Sequence, residues 1–300
     1  MNSKSNMNHL LKKILTLKNM KTSNKLLIAL AVSLILIPII VIAVNVKMNY
    51  KDSHTFYKNL KENTEFNAPL YGYVANKFPE FSAVNVNDGN NAYINFVVVK
   101  SDKAGIKIPA DLTALYDIKV DEHNVLQFIL KNTNKKLKYA LTVYIYSNNV
   151  TSFSLAKAAG FVLDIKSDSV QLNVTDVKRV SFQELTSIRS LTVEANKVGD
   201  LRFDNAKNSN VAIELNNSNF SSLGSAFQSL NIRSVGQSNI EIVGDLNIKS
   251  EFQIDNLYIN TAGKSNLNIS NIKVNKSSGS LSDSTSVSMS ASILKTMFDK

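Results

Sequence analysis

Outside the N-terminal tail the chain has two histidines, His54 and His123, and it has no cysteine at all. His123 sits in Asp121-Glu122-His123-Asn124, where one imidazole beside two carboxylates is the beginning of a metal site. Zinc takes three or four ligands drawn mainly from His and Cys, and no second His or Cys is at hand to complete the set. A solvated turn is the expectation there. Asp164, Asp168 and Asp176 offer the oxygen ligands calcium prefers, but the glycine-rich nonapeptide of calcium-binding solenoids is missing, so they are expected as surface carboxylates. The only arginines are Arg179, Arg189, Arg202 and Arg233. Together with a carboxylate pair about 5 to 10 Å apart they are the residue types of a polysaccharide-cleaving enzyme. The carboxylates are dispersed, however, and no Trp is present to stack a sugar ring. Nucleophile elbow, phosphate loop and dinucleotide fingerprint are all absent. No residue is therefore assigned a catalytic, cofactor-binding or metal role, a non-enzyme is expected, and ligand-binding residues stay unassigned. Asn-x-Ser/Thr triplets at Asn149, Asn173 and Asn268 are expected from composition alone.

What positions the rest is Leu26–Val44, nineteen residues without charge and with Ser33 as the only side-chain hydroxyl. As a helix they would span roughly 28 Å, close to the hydrocarbon thickness of a bilayer. Residues 1–47 carry seven lysines and no Asp or Glu, and six of the lysines precede the apolar run. By the positive-inside rule the N-terminus is cytoplasmic, which makes the large C-terminal part extracytoplasmic. Pro38 is tolerated in a membrane helix, with a kink as its expected effect. The alternative is a cleaved secretory signal, but the apolar core is long for one and Ala43-Val44-Asn45 is a poor cleavage site.

The formal charge of +10 belongs mostly to that anchor. Seven of the 34 basic residues lie within 1–47, leaving 27 against 24 acidic residues beyond it. So small an excess gives no footprint for nucleic acid. Without cysteine the body is held by packing alone.

Four segments follow: a basic cytoplasmic tail (1–25), a transmembrane helix (26–46), a polar stalk or linker (47–77) and a β domain (78–300). Within the tail, residues 9–20 place Leu10, Ile14 and Leu17 at helical spacing between lysines, as a helix lying on an anionic leaflet would. Strands are expected at Tyr93–Val99, Tyr116–Val120, Val125–Leu130 and Leu141–Tyr146, and these strands could pair antiparallel. Alternating aliphatic pairs then begin at Leu191, Leu201 and Val211, at Leu230 and Ile240, and at Leu257 and Leu267, ten residues apart within each group. Ser-Asn-aliphatic-x-Ile recurs at Ser209, Ser238 and Ser265, and Val-Gly-Asp-Leu at Val198 and Val243. A short strand with one apolar face cannot bury that face alone, whereas stacked coils of roughly twenty residues bury a continuous column. The fold class is all-β, a parallel β-helix (β-solenoid) behind one transmembrane helix, with an antiparallel β-sandwich as the alternative. From about residue 281 a strand and a short helix are expected to cap the open end.

The segments Phe81-Ser-Ala-Val-Asn-Val, Ile118-Lys-Val, Val125-Leu-Gln-Phe and Ser238-Asn-Ile-Glu-Ile-Val-Gly-Asp-Leu-Asn-Ile resemble the bacterial family known as putative auto-transporter adhesin, head GIN domain, over roughly residues 78–276. Most turns here read Ser-Asn where that family usually has Gly-Ser-Gly-like triplets. The resemblance implies a right-handed parallel β-helix outside a membrane and brings no catalytic residues. The expected function is a non-catalytic structural, adhesive or interaction module in the bacterial envelope. It would be single-pass in the cell membrane, facing periplasm or cell surface, with an envelope protein or surface glycan as partner. Alternatives are an envelope sensor whose tail touches a cytoplasmic regulator, and a polysaccharide-active enzyme.

Overall fold

A computed structural model describes residues 21–49, 65–131, 140–183, 187–205, 207–244 and 252–298. The chain divides into two units, 1–63 and 64–300. In the first, helix α1 (Thr22–Asn49) runs through Pro38. Its stretch Thr22–Val44 is long and apolar enough to cross a membrane, and none of its most apolar window is buried by protein. The Ser33 hydroxyl donates to the Leu30 carbonyl at 2.9 Å, which satisfies the one polar side chain of the apolar run. The expected tail helix at 9–20 and residues 50–64 of the stalk, His54 among them, lie outside the described residues.

The second unit is mostly β. Its opening block comprises β1 (Tyr73–Lys77), β2 (Ala83–Val86), β3 (Tyr93–Val99), β4 (Gly105–Pro109), β5 (Tyr116–Val120), β6 (Val125–Leu130) and β7 (Leu141–Tyr146). The four strands expected here have the bounds read from the letters. Their pairing is mixed rather than antiparallel throughout: β1–β4, β4–β7 and β5–β6 are antiparallel, while β3–β7 and β2–β6 are parallel. Strand β1 occupies the last five residues of the stretch expected as stalk and pairs along its whole length with β4.

From Ser152 onward the strands alternate between two sheets. One series is β8 (Ser152–Ala158), β10 (Lys166–Val177), β12 (Ser187–Asn196), β14 (Lys207–Asn216), β16 (Ala226–Val235), β18 (Gln253–Ala262) and β20 (Lys273–Ser280). The other is β9 (Gly160–Asp164), β11 (Val180–Phe182), β13 (Leu201–Asp204), β15 (Phe220–Leu223), β17 (Ser238–Val243), β19 (Ser265–Ser270) and β21 (Thr285–Ser288). Every strand from β8 to β19 pairs in parallel with the strand two places later. The antiparallel pairing of a sandwich is confined to the opening block. With β2, β5 and β6 the first series forms a ten-stranded sheet, and with β1, β3, β4 and β7 the second forms an eleven-stranded one. Because β2 joins β8 and β3 joins β9, the opening block continues both sheets.

Side-chain alternation with a period of two sends one face of each strand inward. In the ten-stranded sheet Leu172, Val193, Ile213, Ile232 and Ile259 stand in register and form one buried row. From β8 onward residues in register are about twenty apart, except from β16 to β18 and from β17 to β19, where the chain between β17 and β18 is longer. The identical letters noted above are not all equivalent. Ser238-Asn239-Ile240 lies directly on Ser265-Asn266-Leu267, but the Ser209 copy belongs to the other sheet. Val198–Leu201 leads into the eleven-stranded sheet, whereas Val243-Gly244 leaves it.

The passage from the ten- to the eleven-stranded sheet uses a left-handed backbone in six successive turns: Lys157, Asp176, Lys197, Asn217, Gly236 and Gly263 all have positive φ. Stacking adds a ladder, in which the Asn217 and Asn219 side-chain oxygens accept from the amides of Gln237 and Asn239 in the next turn. At Gly263 φ is +129°, and a Cβ there would lie 2.4 Å from the Gly236 carbonyl oxygen. Gly263→Ala is therefore expected to lower stability by about 1–3 kcal/mol, read as a fall in the urea midpoint at unchanged slope.

At the C-terminal end the row gives way to small residues. Ser277 and Gly279 stand where Leu257 and Ile259 stand one turn earlier. Helix α2 (Ala291–Phe298) uses that space, with Ile293 and Met297 buried and the Ser277 hydroxyl donating to the Ile293 carbonyl.

Candidate functional site

The residues with the most obvious chemistry are dispersed by the fold. Asp121 accepts hydrogen bonds from the amides of His123 and Val125 and from the Gln127 side chain. Those bonds, the one from Gln127 first, hold its carboxyl below the usual carboxylate range. Asp121 is committed to closing a turn, and His123 and Glu122 stand in solvent. Asp168 opens β10 and pairs with Arg189 at 3.3 Å, while Asp176 ends the same strand, eight extended residues or about 26 Å away. Asp164 is buried on the other sheet. Among the described residues no three His, Cys, Asp or Glu side chains form a metal-holding group. Arg202 and Arg233 lie on different sheets, so the four arginines line no common groove.

Polar groups are paired at some places on the sheets and left unpaired at others. On the eleven-stranded sheet, Arg202 Nε donates to Asp204 at 2.6 Å, Ser221 donates to Asp200 at 2.7 Å, and Asn268 donates to Glu241 at 3.5 Å. Asp204 raises the Arg202 guanidinium further above its ordinary range. On the ten-stranded sheet, register stacks Glu194, Glu214, Arg233 and Asn260 in one row, and Thr192, Ala212, Asn231 and Tyr258 in the next. None of these side chains makes a hydrogen bond or ion pair among the described residues. Small Ala212 lies between larger neighbours, and the two rows enclose an open depression of about 350 Å³. Tyr258, 41% exposed, closes one end. One strand further along the Glu194 row, on β10, Asn173 is in register with Glu194, and its side-chain oxygen is buried without a partner.

These residues escaped a search for motifs because no two are neighbours in sequence. The signal was nevertheless present, since each of Thr192, Ala212, Asn231 and Tyr258 is the middle residue of an aliphatic pair beginning at Leu191, Val211, Leu230 or Leu257. The inward pair was legible; the residue between its members is the one that faces outward. As chemistry, two exposed carboxylates, a guanidinium, two amides and a phenol can donate and accept hydrogen bonds over an extended surface. They do not form an enclosed acid–base pair in contrasting environments.

Solved structures resemble the chain at low identity. A "putative adhesin" from Bacteroides fragilis matches at 15% identity over 72% of this chain and 96% of its own, with a TM-score of 0.47. A "putative adhesin" from Parabacteroides merdae matches at 15% over 72% and 95%, with a TM-score of 0.34. A "putative lipid binding protein" from Parabacteroides distasonis matches at 11% over 72% and 96%, also at 0.34. At TM-scores below 0.5 none of these likenesses carries weight. No family model matches the chain, so the resemblance to the head GIN domain family rests on the letters alone, and no curated protein matches it significantly.

The opening block holds one more unusual group. Lys107 is buried, donates to the carbonyls of Glu65 and Ala68 at 3.0 and 2.8 Å, and lies 5.2 Å from the centre of the Tyr146 ring. Burial lowers its pKa. It clasps the segment leading into β1 to the eleven-stranded sheet, and with two carbonyls and a ring face around it the ammonium is satisfied in place.

Proposed function

We propose that the chain is a single-pass membrane protein whose β body is a parallel β-solenoid held outside the membrane, acting through surface contact and without catalysis. On this reading α1 is an uncleaved anchor, its basic flank lies in the cytoplasm, and α2 closes the far end. A structural, adhesive or interaction role follows, of the kind the head GIN resemblance implies. One observation carries it: the rows Glu194–Asn260 and Thr192–Tyr258 leave their polar groups unpaired side by side on one sheet, whereas Arg202, Ser221 and Asn268 on the other sheet pair with Asp204, Asp200 and Glu241. An array of unpaired polar side chains on a rigid sheet is an interaction surface in waiting.

The test uses the full chain in phosphatidylcholine nanodiscs mixed with isolated envelope polysaccharide. Retention without release of reducing ends is expected, and Ala212→Arg, which fills the depression, should weaken retention about tenfold or more. Release of reducing ends that disappears in Glu214→Gln would convert the reading to an enzyme. Retention untouched by Ala212→Arg would move the contact surface elsewhere.

A further inference from the structure

The depression on the ten-stranded sheet has enough detail to name a ligand class, an assignment that rests on this face being the contact surface. It crosses four parallel strands, β12, β14, β16 and β18, whose spacing of about 4.8 Å gives three intervals, or about 14 Å along the stacking direction. Each interval is close to the length of one pyranose unit in an extended saccharide chain. The groove therefore presents one side chain per sugar along each row, polar at every position except Ala212. Tyr258 offers an exposed ring at one end, where the apolar face of a sugar can lie. Asn231, Asn260 and the carboxylates supply the planar acceptors and donors that vicinal hydroxyls require.

Charge narrows the class. Register places Glu194 and Glu214 on adjacent strands, directly opposite each other, an arrangement that is unfavourable without a cation. Arg233 follows in the same row but forms no ion pair within 4 Å of either, and the lining holds one negative charge in excess. A polyanion would meet uncompensated carboxylates, whereas a ligand amine would relieve their repulsion. We infer that this groove binds an amino-sugar oligosaccharide, with a free amine over Glu194 and Glu214 and a pyranose ring on Tyr258.

The test is calorimetry on the full chain in phosphatidylcholine nanodiscs, with oligomers of glucosamine, N-acetylglucosamine and galacturonic acid as probes. The glucosamine oligomer should bind, the acetylated one about tenfold or more weakly, and the acid not at all. Glu214→Gln should weaken glucosamine-oligomer binding about tenfold and flatten its salt dependence, Tyr258→Ala should weaken all sugar binding, and Glu241→Gln on the opposite sheet should change nothing. Equal binding of acetylated and free-amine oligomers, or indifference to Glu214→Gln, overturns the assignment. If no oligosaccharide binds while Ala212→Arg still weakens envelope retention, the ligand class falls and the surface reading stands. If both fail, both fall.

Discussion

Phe203→Ala is expected to lower the stability of the β body by about 3–5 kcal/mol, the range for truncating a fully buried aromatic ring. Phe203 is completely buried on β13. Its ring stacks on Phe182 at 4.8 Å and meets Phe220 and Phe227 edge-on at 5.7 and 6.1 Å. Phe182 and Phe220 belong to the strands on either side of β13, while Phe227 belongs to β16 on the other sheet. The side chain thus ties three strands of one sheet to each other and to the facing sheet. Phe203→Leu, which refills most of the space, should cost less than half as much. Urea unfolding followed by far-UV circular dichroism measures both. If the body is the solenoid proposed above, its stacked units contact only their neighbours, and the alanine variant should also broaden the transition as one side of the break opens first. A loss under about 1 kcal/mol would mean that the ring cluster is not a junction between the sheets.

Raising the pH from 10 to 12 is expected to remove up to about 3 kcal/mol for each of two phenols. Tyr116 and Tyr146 are buried at 2% and 0% exposure, and burial pushes both up to about 12, with the charge of Asp88 adding at Tyr116. In the unfolded chain each ionises near pH 10, so between 10 and 12 the folded state holds more protons than the unfolded one. Stability is then whole below pH 10 and falls as pH rises through the window. Lys107 works in the opposite sense. Burial lowers its pKa below 10.5, so the unfolded chain keeps that proton longer, and stability rises with pH until 10.5. The two windows meet near pH 10 and can be separated by substitution. Tyr146→Phe keeps the ring beside Lys107 and Phe66 but removes a buried hydroxyl that has no hydrogen-bond partner. At neutral pH it should leave stability unchanged or raise it by about 1 kcal/mol, and above pH 10 it should remove about half of the alkaline loss. An alkaline loss as large in Tyr146→Phe as in the parent would show that this phenol ionises freely.

The apolar run Leu26–Val44 and the alternating pairs at Leu191, Val211, Leu230 and Leu257 were legible in the letters because they rest on local periodicity and length. A helix must satisfy its backbone within itself, and a strand must turn alternate residues to opposite faces. Strands β3, β5, β6 and β7 were legible to the residue for the same reason, since β-branched and aromatic runs end at turn-forming residues. Pairing was not. The opening block mixes parallel and antiparallel neighbours because partner choice is settled by which strands meet across long connections, and β1 fell within the expected stalk because YVANK has no clear apolar alternation of its own. Repeated letters misled in one respect, as Ser209 and Ser238 share a motif but occupy different sheets.

The sequence by itself determined an N-terminal helix long and apolar enough to cross a membrane, a β body built on a recurring aliphatic pair, and the absence of recognisable catalytic motifs. Only the tertiary structure decided that Glu194, Glu214, Arg233 and Tyr258 share one surface. Side chains twenty residues apart become neighbours when parallel strands stack in register, and that register depends on turn lengths that vary from coil to coil, as the longer chain between Leu230 and Leu257 shows.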